Sequence, residues 1–422
     1  MKIETGSTIE KSNPTDARAP RPRTHKDLKK SLVLSVLFTL ATLLAFAPSA
    51  FASEDLAWYE KIDVSGDFRA RDELFVIDDG DDRNRLRYRL RVGAKTDIND
   101  HVQLGFRLAT GSLVNSRNQT LGSGNDFDPD GVFIDKAYIT LKPHGAEKPM
   151  FGDSLAVTFG KMSNPLKAKG VGPSILIWDG DQMPEGVALS WGASPRDGWS
   201  TNLDVGYFVI DENSSDPAKD PAVIAVQLDD KIEINDEITF NSHLSYQAFR
   251  KLDADFFDRV TDGDGSGYNG NTDSLSSNNH IDLIEFQGGT TLKLVDNWPI
   301  TIWGNVVYNF SADSVGGGNG KQNLGYGVGV EAGDKKACAR VGVAYYELEA
   351  DAVPANLHDS DVFDGRSNGK SWQVYLKRQI FENTDFTIES FFSEPLDDDV
   401  VAFQEAAPND RVRIRFDVTV KF

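Results

Sequence analysis

The segment RVRIRFDVTVKF, Arg411 to Phe422, alternates without a break. Val412, Ile414, Phe416, Val418, Val420 and Phe422 are apolar, whereas Arg411, Arg413, Arg415, Asp417, Thr419 and Lys421 are polar or charged. Successive side chains of a strand point to opposite faces, so this is a strand with one apolar and one hydrated face. It finishes on an aromatic residue. Such a strand suits closure of a transmembrane β-barrel, with the apolar face on lipid and the other lining a lumen.

The same period recurs along the chain. Sixteen strands are expected, near 61–74, 84–96, 102–112, 132–142, 155–161, 186–194, 201–211, 222–233, 237–249, 281–295, 300–311, 322–332, 337–350, 370–381, 386–394 and 410–422. Ile300, Ile302, Val306, Tyr308 and Phe310 share one parity, as do Leu324, Tyr326, Val328 and Val330. β-Branched and aromatic residues at every second position fit a pleated, half-buried surface. The connections alternate as well. INDH at 98–101, IND at 234–236, DNWP at 296–299, GDKK at 333–336 and ENTD at 382–385 are short. The intervening 113–131, 250–280, 351–369 and 395–409 are long and rich in Asp, Gly, Asn and Ser. Outer-membrane barrels alternate short periplasmic turns with long external loops in this way. A soluble β-sandwich would share the alternation but not this rhythm.

The N-terminal region reads as an export signal. Lys26, Lys29 and Lys30 precede an apolar run from Leu32 to Ala47, and Ala50 and Ala52 frame a cleavage site before Ser53. The run is short for a membrane anchor. Residues 1–52 are thus expected to be leader and signal, and 53–422 the barrel. The polar stretch Met1–Thr24 is either a long leader or a start codon placed too early. The whole chain has 44 basic and 65 acidic residues; without the eight basic and four acidic residues of 1–52, 36 and 61 remain, a net charge of −25. That balance excludes nucleic acid as a partner on general electrostatics. Cys338 is the only cysteine, so an internal disulfide is excluded.

Charge is concentrated on one parity of the second strand, RNRLRYRLRVGAKTD. Arg85, Arg87, Arg89 and Arg91 alternate with Leu86, Tyr88, Leu90 and Val92. Guanidinium groups facing lipid would cost about 2–4 kcal/mol each at the midplane, so they face the lumen. Arg69 and Arg71 of the first strand, and Arg411, Arg413 and Arg415 of the strand that closes against it, extend one basic wall. Asp63, Asp67 and Asp417 are candidate neutralising neighbours. The connection after the fifth strand, SNPLKAKGVGPSILIWDGDQMPEG, is the third external loop by count. It sets Ile175, Leu176, Ile177 and Trp178 beside Asp179, Asp181 and Glu185. An apolar cluster of this kind anchors a loop folded inward, and its acids would then oppose the basic wall across a narrow lumen. Opposed charges at a constriction orient polar solutes and set ion preference.

With the Arg-rich strand stand three further segments: IDKAYI (Ile134–Ile139), GKMSNPL (Gly160–Leu166) and WDGDQMPEGVAL (Trp178–Leu189). In these the chain resembles the putative porins of Gram-negative outer membranes, over most of the region after the signal. The resemblance implies a sixteen-stranded porin-like barrel in the outer membrane, with lipid and lipopolysaccharide around it and a homotrimer as candidate assembly. It implies passage of small hydrophilic solutes, and an inward third loop whose Asp179, Asp181 and Glu185 face Arg85, Arg87, Arg89 and Arg91.

One other motif stands apart. Asp262, Asp264, Ser266, Gly267 and Asp273 occupy positions 1, 3, 5, 6 and 12 of an EF-hand-like loop, so calcium is a candidate cofactor. The twelfth position is Asp rather than Glu, and the flanks read as strands. The acidic cluster Asp78, Asp79, Asp81 and Asp82 reads as a solvated loop or a site for divalent cations bridging surface phosphates. His101, His144, His243, His280 and His358 are scattered, and no nucleophile elbow or phosphate loop is present. Trp58, Tyr88, Trp191, Trp199, Trp298 and Trp303 fall near strand ends or lipid faces and suit interfacial girdles. The expected function is passive diffusion through a charged pore. The alternatives are an outer-membrane barrel enzyme or a plugged adhesion or structural barrel.

Overall fold

The computed structural model describes residues 58–422 apart from 79, 112–115, 124–128, 168–171, 173–174, 215–219, 253–255, 257–269, 273–274, 276–278, 297, 315–319, 364 and 398–409. The signal and leader reading, the EF-hand-like positions Asp262, Asp264, Ser266 and Asp273, and Asp79 lie outside the described residues.

Alternation becomes strand throughout. The strands are β1 (Asp63–Ile77), β2 (Arg83–Asn99), β3 (Val102–Thr110), β4 (Gln119–Thr120), β5 (Val132–Leu141), β6 (Ser154–Lys161), β7 (Glu185–Arg196), β8 (Trp199–Val209) and β9 (Ala222–Glu233). They continue as β10 (Ile238–Arg250), β11 (His280–Leu292), β12 (Ile300–Asn309), β13 (Leu324–Ala332), β14 (Arg340–Leu348), β15 (Gly369–Phe381), β16 (Thr384–Pro395) and β17 (Arg411–Lys421). Each long strand pairs antiparallel with its sequence neighbours, and β17 returns to β1. The two-residue β4 sits beside β2 beyond the end of β3. Setting it aside, sixteen strands close a barrel.

The pleat sorts the side chains. Phe416, Val418 and Val420 of β17 are exposed, as are Ile302, Val306 and Tyr308 of β12, and these form the lipid-facing parity. The opposite parity points inward. Asp72 interrupts the lipid-facing band on β1. It shares its parity with exposed Phe68 and Val76, and its register neighbours Leu86 and Phe416 are themselves 54% and 42% exposed. Its Oδ1 is buried without a hydrogen-bond partner among the described residues.

The buried apolar cluster lies inside the barrel. Phe208 of β8, Val223 of β9, Phe249 of β10, Ile281 of β11 and Leu348 of β14 occupy inward positions near the strand ends that carry the long connections. Residues of those connections pack on them: Leu166, Leu176, Ile177 and Trp178 from 162–184, Phe256 and Leu275 from 251–279, and Val353, Leu357 and Phe363 from 349–368. The inward parity is therefore not uniformly hydrated. It is apolar beneath these connections and polar further along, as at Gln227, Asp229, His243 and Gln287. Trp303 also departs from the girdle expectation. It is 5% exposed, faces inward and lies 5.9 Å from the Tyr346 ring.

Candidate functional site

The arginine wall follows from register. Antiparallel pairing sets Arg69 opposite Arg89, Arg71 opposite Arg87, Glu73 opposite Arg85, and Asp67 opposite Arg91. On the other side of β1, Glu73 faces Arg415, Phe75 faces Arg413, and Arg71 faces Asp417. Three strands thus bring their inward charges to one surface, as parity alone requires once β17 closes on β1.

Acidic residues are threaded through it. Glu73 is fully buried and ion-pairs with Arg85, Arg87 and Arg413, with Arg71 at 3.8 Å. Arg71 donates through Nε and Nη2 to the two carboxylate oxygens of Asp417 at 2.7 and 2.8 Å. Asp67 accepts from Arg89 at 2.8 Å and from Arg91 at 2.7 Å. Phe75 lies between the guanidinium groups of Arg85 and Arg413, each 5.1 Å from its ring centre. Burial along β2 falls in one direction: Arg85, Arg87 and Arg89 are buried, Arg91 is partly exposed and Lys95 is exposed. Arg411, at the start of β17, is partly buried.

Two connections reach this wall. In 162–184, Trp178 donates its indole N–H to Gln247 on the inner face of β10, 2.8 Å away. Three residues on, Asp181 Oδ1 lies 3.6 Å from both Arg89 and Arg91, and its Oδ2 accepts the Arg117 N–H at 3.1 Å. Burial would raise the Asp181 carboxyl, but Arg89, Arg69, Arg91 and Arg117 outweigh it and hold the group below the usual carboxylate range. Asp179 has another environment. Its carboxylate accepts the N–H groups of Ser360 at 2.8 Å and of Asp181. Burial, with Asp359 and Asp181 nearby, raises it well above its ordinary value. The two aspartates singled out together are thus brought to different surroundings. Glu185 is not brought to the wall: it is the first residue of β7, exposed, and pairs with Lys161 at 2.6 Å.

The connection 349–368 supplies what sequence reasoning missed. Asp361 ion-pairs with Arg415, with Arg413 at 3.0 Å and with Arg71 at 3.5 Å. Burial raises the Asp361 carboxyl, but Arg415, Arg413 and Arg71 hold it well below the ordinary range. The fully buried His358 places Nδ1 2.9 Å from the Leu176 carbonyl, and Leu357 accepts the Asp179 N–H at 2.8 Å. These bonds tie 349–368 to 162–184. A signal was available in DAVPANLHDSDVFDG (Asp351–Gly365), where Val353, Leu357, Val362 and Phe363 interrupt the polar residues. Among the described residues no group of three or more His, Cys, Asp or Glu side chains is placed to hold a metal ion.

A closed antiparallel ring with lipid-facing apolar parity and a charged inner wall defines a transmembrane barrel of the outer-membrane type. The sequence pattern of the family described as "Putative porin" matches residues 74–301, and the chain belongs to that family. Its place is the Gram-negative outer membrane. The fold is shared with solved porins. Pseudomonas putida OprB, in a high-pH structure, aligns over 89% of this chain and 100% of its own, with 13% identity and a TM-score of 0.54. Salmonella typhi OmpF, in a complex with daunomycin, aligns over 86% of this chain and 97% of its own, with 12% identity and a TM-score of 0.50. No curated protein sequence matches the chain.

Proposed function

We propose that the chain is a passive diffusion channel for small hydrophilic solutes and ions, with selection set where residues 162–184 and 349–368 meet the arginine wall. The observation that carries this reading is convergence. Asp181 and Asp361, from two different connections, reach ion-pair distance of guanidinium groups on β1, β2 and β17. Their charges compensate part of the wall directly rather than opposing it across an open gap. Conductance in a planar bilayer, with reversal potentials in asymmetric KCl, tests the proposal. Asp181→Asn and Asp361→Asn should each shift the reversal potential toward anions, because each removes one negative charge beside the wall. Absence of conductance from folded protein would overturn the channel reading.

A second reading draws on the apolar cluster inside the barrel: an adhesion or structural barrel with a filled lumen. Swelling of protein-loaded liposomes in sugars of graded size separates the two. Export through residues 1–52, with a mature chain beginning at Ser53, belongs to the same proposal and is read by N-terminal mass analysis. So does a homotrimer, which Asp72 favours. A carboxylate in the lipid band is expensive, and contact with another copy would cover it. The mass of the folded, unheated barrel tests that assembly.

A further inference from the structure

We propose that Arg69 is the centre of an oxyanion-binding step within the barrel, recognising a small carboxylate or phosphate; this rests on the channel reading and names the class of solute it favours. Arg69 lies on the inward parity of β1, between Arg71 and the directly opposed Arg89. Both neighbours have carboxylates of their own: Asp417 for Arg71, and Asp67 with Asp181 for Arg89. Among the described residues no carboxylate lies at ion-pair distance from Arg69. Among the described residues its guanidinium donates from Nη2 to the Asn118 side-chain oxygen at 2.5 Å, and its Nε is buried without a partner.

A crowded guanidinium group whose opposite charges, Asp417 and Asp181, act on it only from beyond ion-pair distance is an unusual arrangement. Taking a charge out of water is costly unless an opposite charge or several hydrogen bonds replace the lost hydration. Here the nearest strand neighbours carry the same sign. The rest of the wall has acids at short range, whereas Asp417 and Asp181 act on Arg69 only from further off. Arg69 keeps part of its surface exposed although its Nε is buried. The guanidinium edge offers parallel N–H donors that match two oxygens of a carboxylate or phosphate, whereas chloride offers a single point of contact. Asn118, from the connection that follows β3, supports the group by accepting one of its donors. An oxyanion there would supply an opposite charge at ion-pair distance while remaining exchangeable, as transit requires.

Calorimetric titration of the detergent-folded full chain with succinate, inorganic phosphate and chloride tests this, alongside KCl conductance of the same preparations. The wild type should bind both oxyanions more tightly than chloride. Arg69→Gln should weaken oxyanion binding by about tenfold or more, the loss expected for one charge-assisted hydrogen bond. Arg69→Lys should fall between them, because it keeps the charge and loses the paired donors. Retained heat-modifiable mobility on gels shows that each variant has folded. Equal binding by wild type and the glutamine variant, or no binding by wild type, overturns the site even where KCl conductance is normal. Binding that depends on Arg69 without any conductance leaves the site standing and removes the channel.

Discussion

Glu73 shows how one residue can organise a wall that the sequence presents only as separate charges. Its carboxylate touches arginines on both neighbouring strands and lies 3.8 Å from Arg71 on its own. Replacing it by glutamine keeps the shape and leaves those guanidinium groups short of a charge. Removing one member of a buried ionic cluster typically costs about 3–5 kcal/mol. Glu73→Gln should therefore lower the urea midpoint of the folded barrel in micelles, and an unchanged midpoint would contradict the hub. The arginines were legible because parity and the cost of charge in lipid place them without any knowledge of partners. Glu73 was not, because its importance comes from registers that join three strands distant in sequence. The same applies to Glu185, assigned to the loop by nearness in sequence although it begins a strand.

At the scale of elements, strand positions were readable to within a few residues, since alternation is a local property of the chain. The expected strand at 102–112 is Val102–Thr110, and that at 410–422 is Arg411–Lys421. The inward course of 349–368 was hidden because its apolar residues follow no period. Its junction with 162–184 has a definite response to pH. Burial pushes His358 down to about 4 from 6.5. A released loop takes up a proton below about 6.5 and a docked one only below about 4, so acidification across that window weakens docking, by up to about 3 kcal/mol. Asp359 and Asp351, each raised by burial to about 6 from 3.8, act oppositely and favour docking as pH falls through 6. His358→Gln leaves the acid-favoured contributions of Asp359 and Asp351 to dominate between pH 7.5 and 5, since Asp361, held below its ordinary value of 3.8, stays charged across that range. Residues 349–368 of that variant should resist proteolysis better at pH 5 than at pH 7.5. Equal cleavage at the two pH values would count against this account.

For the whole molecule, the seam that closes the ring includes one close approach between Gly66 and Phe422. Phe422 exchanges backbone hydrogen bonds with Gly66, donating at 3.1 Å and accepting at 2.8 Å. A Cβ at Gly66 would lie 2.6 Å from the Phe422 ring and still nearer the Arg91 carbonyl oxygen. Gly66→Val should therefore lower the yield of heat-modifiable barrel on refolding, by several-fold, while a wild-type yield would show that the seam can relax. The pairing of β1 with β17 also has a consequence in time. It joins residues as far apart as Arg71 and Asp417, 346 positions along the chain. Such a contact forms only after the intervening chain has been brought into order. Until then the sheet has two bare edges, each a row of amide and carbonyl groups without partners. Hydrocarbon offers those groups nothing in place of water. A partly assembled sheet is thus barred from the bilayer interior, which makes ring formation and insertion a single event.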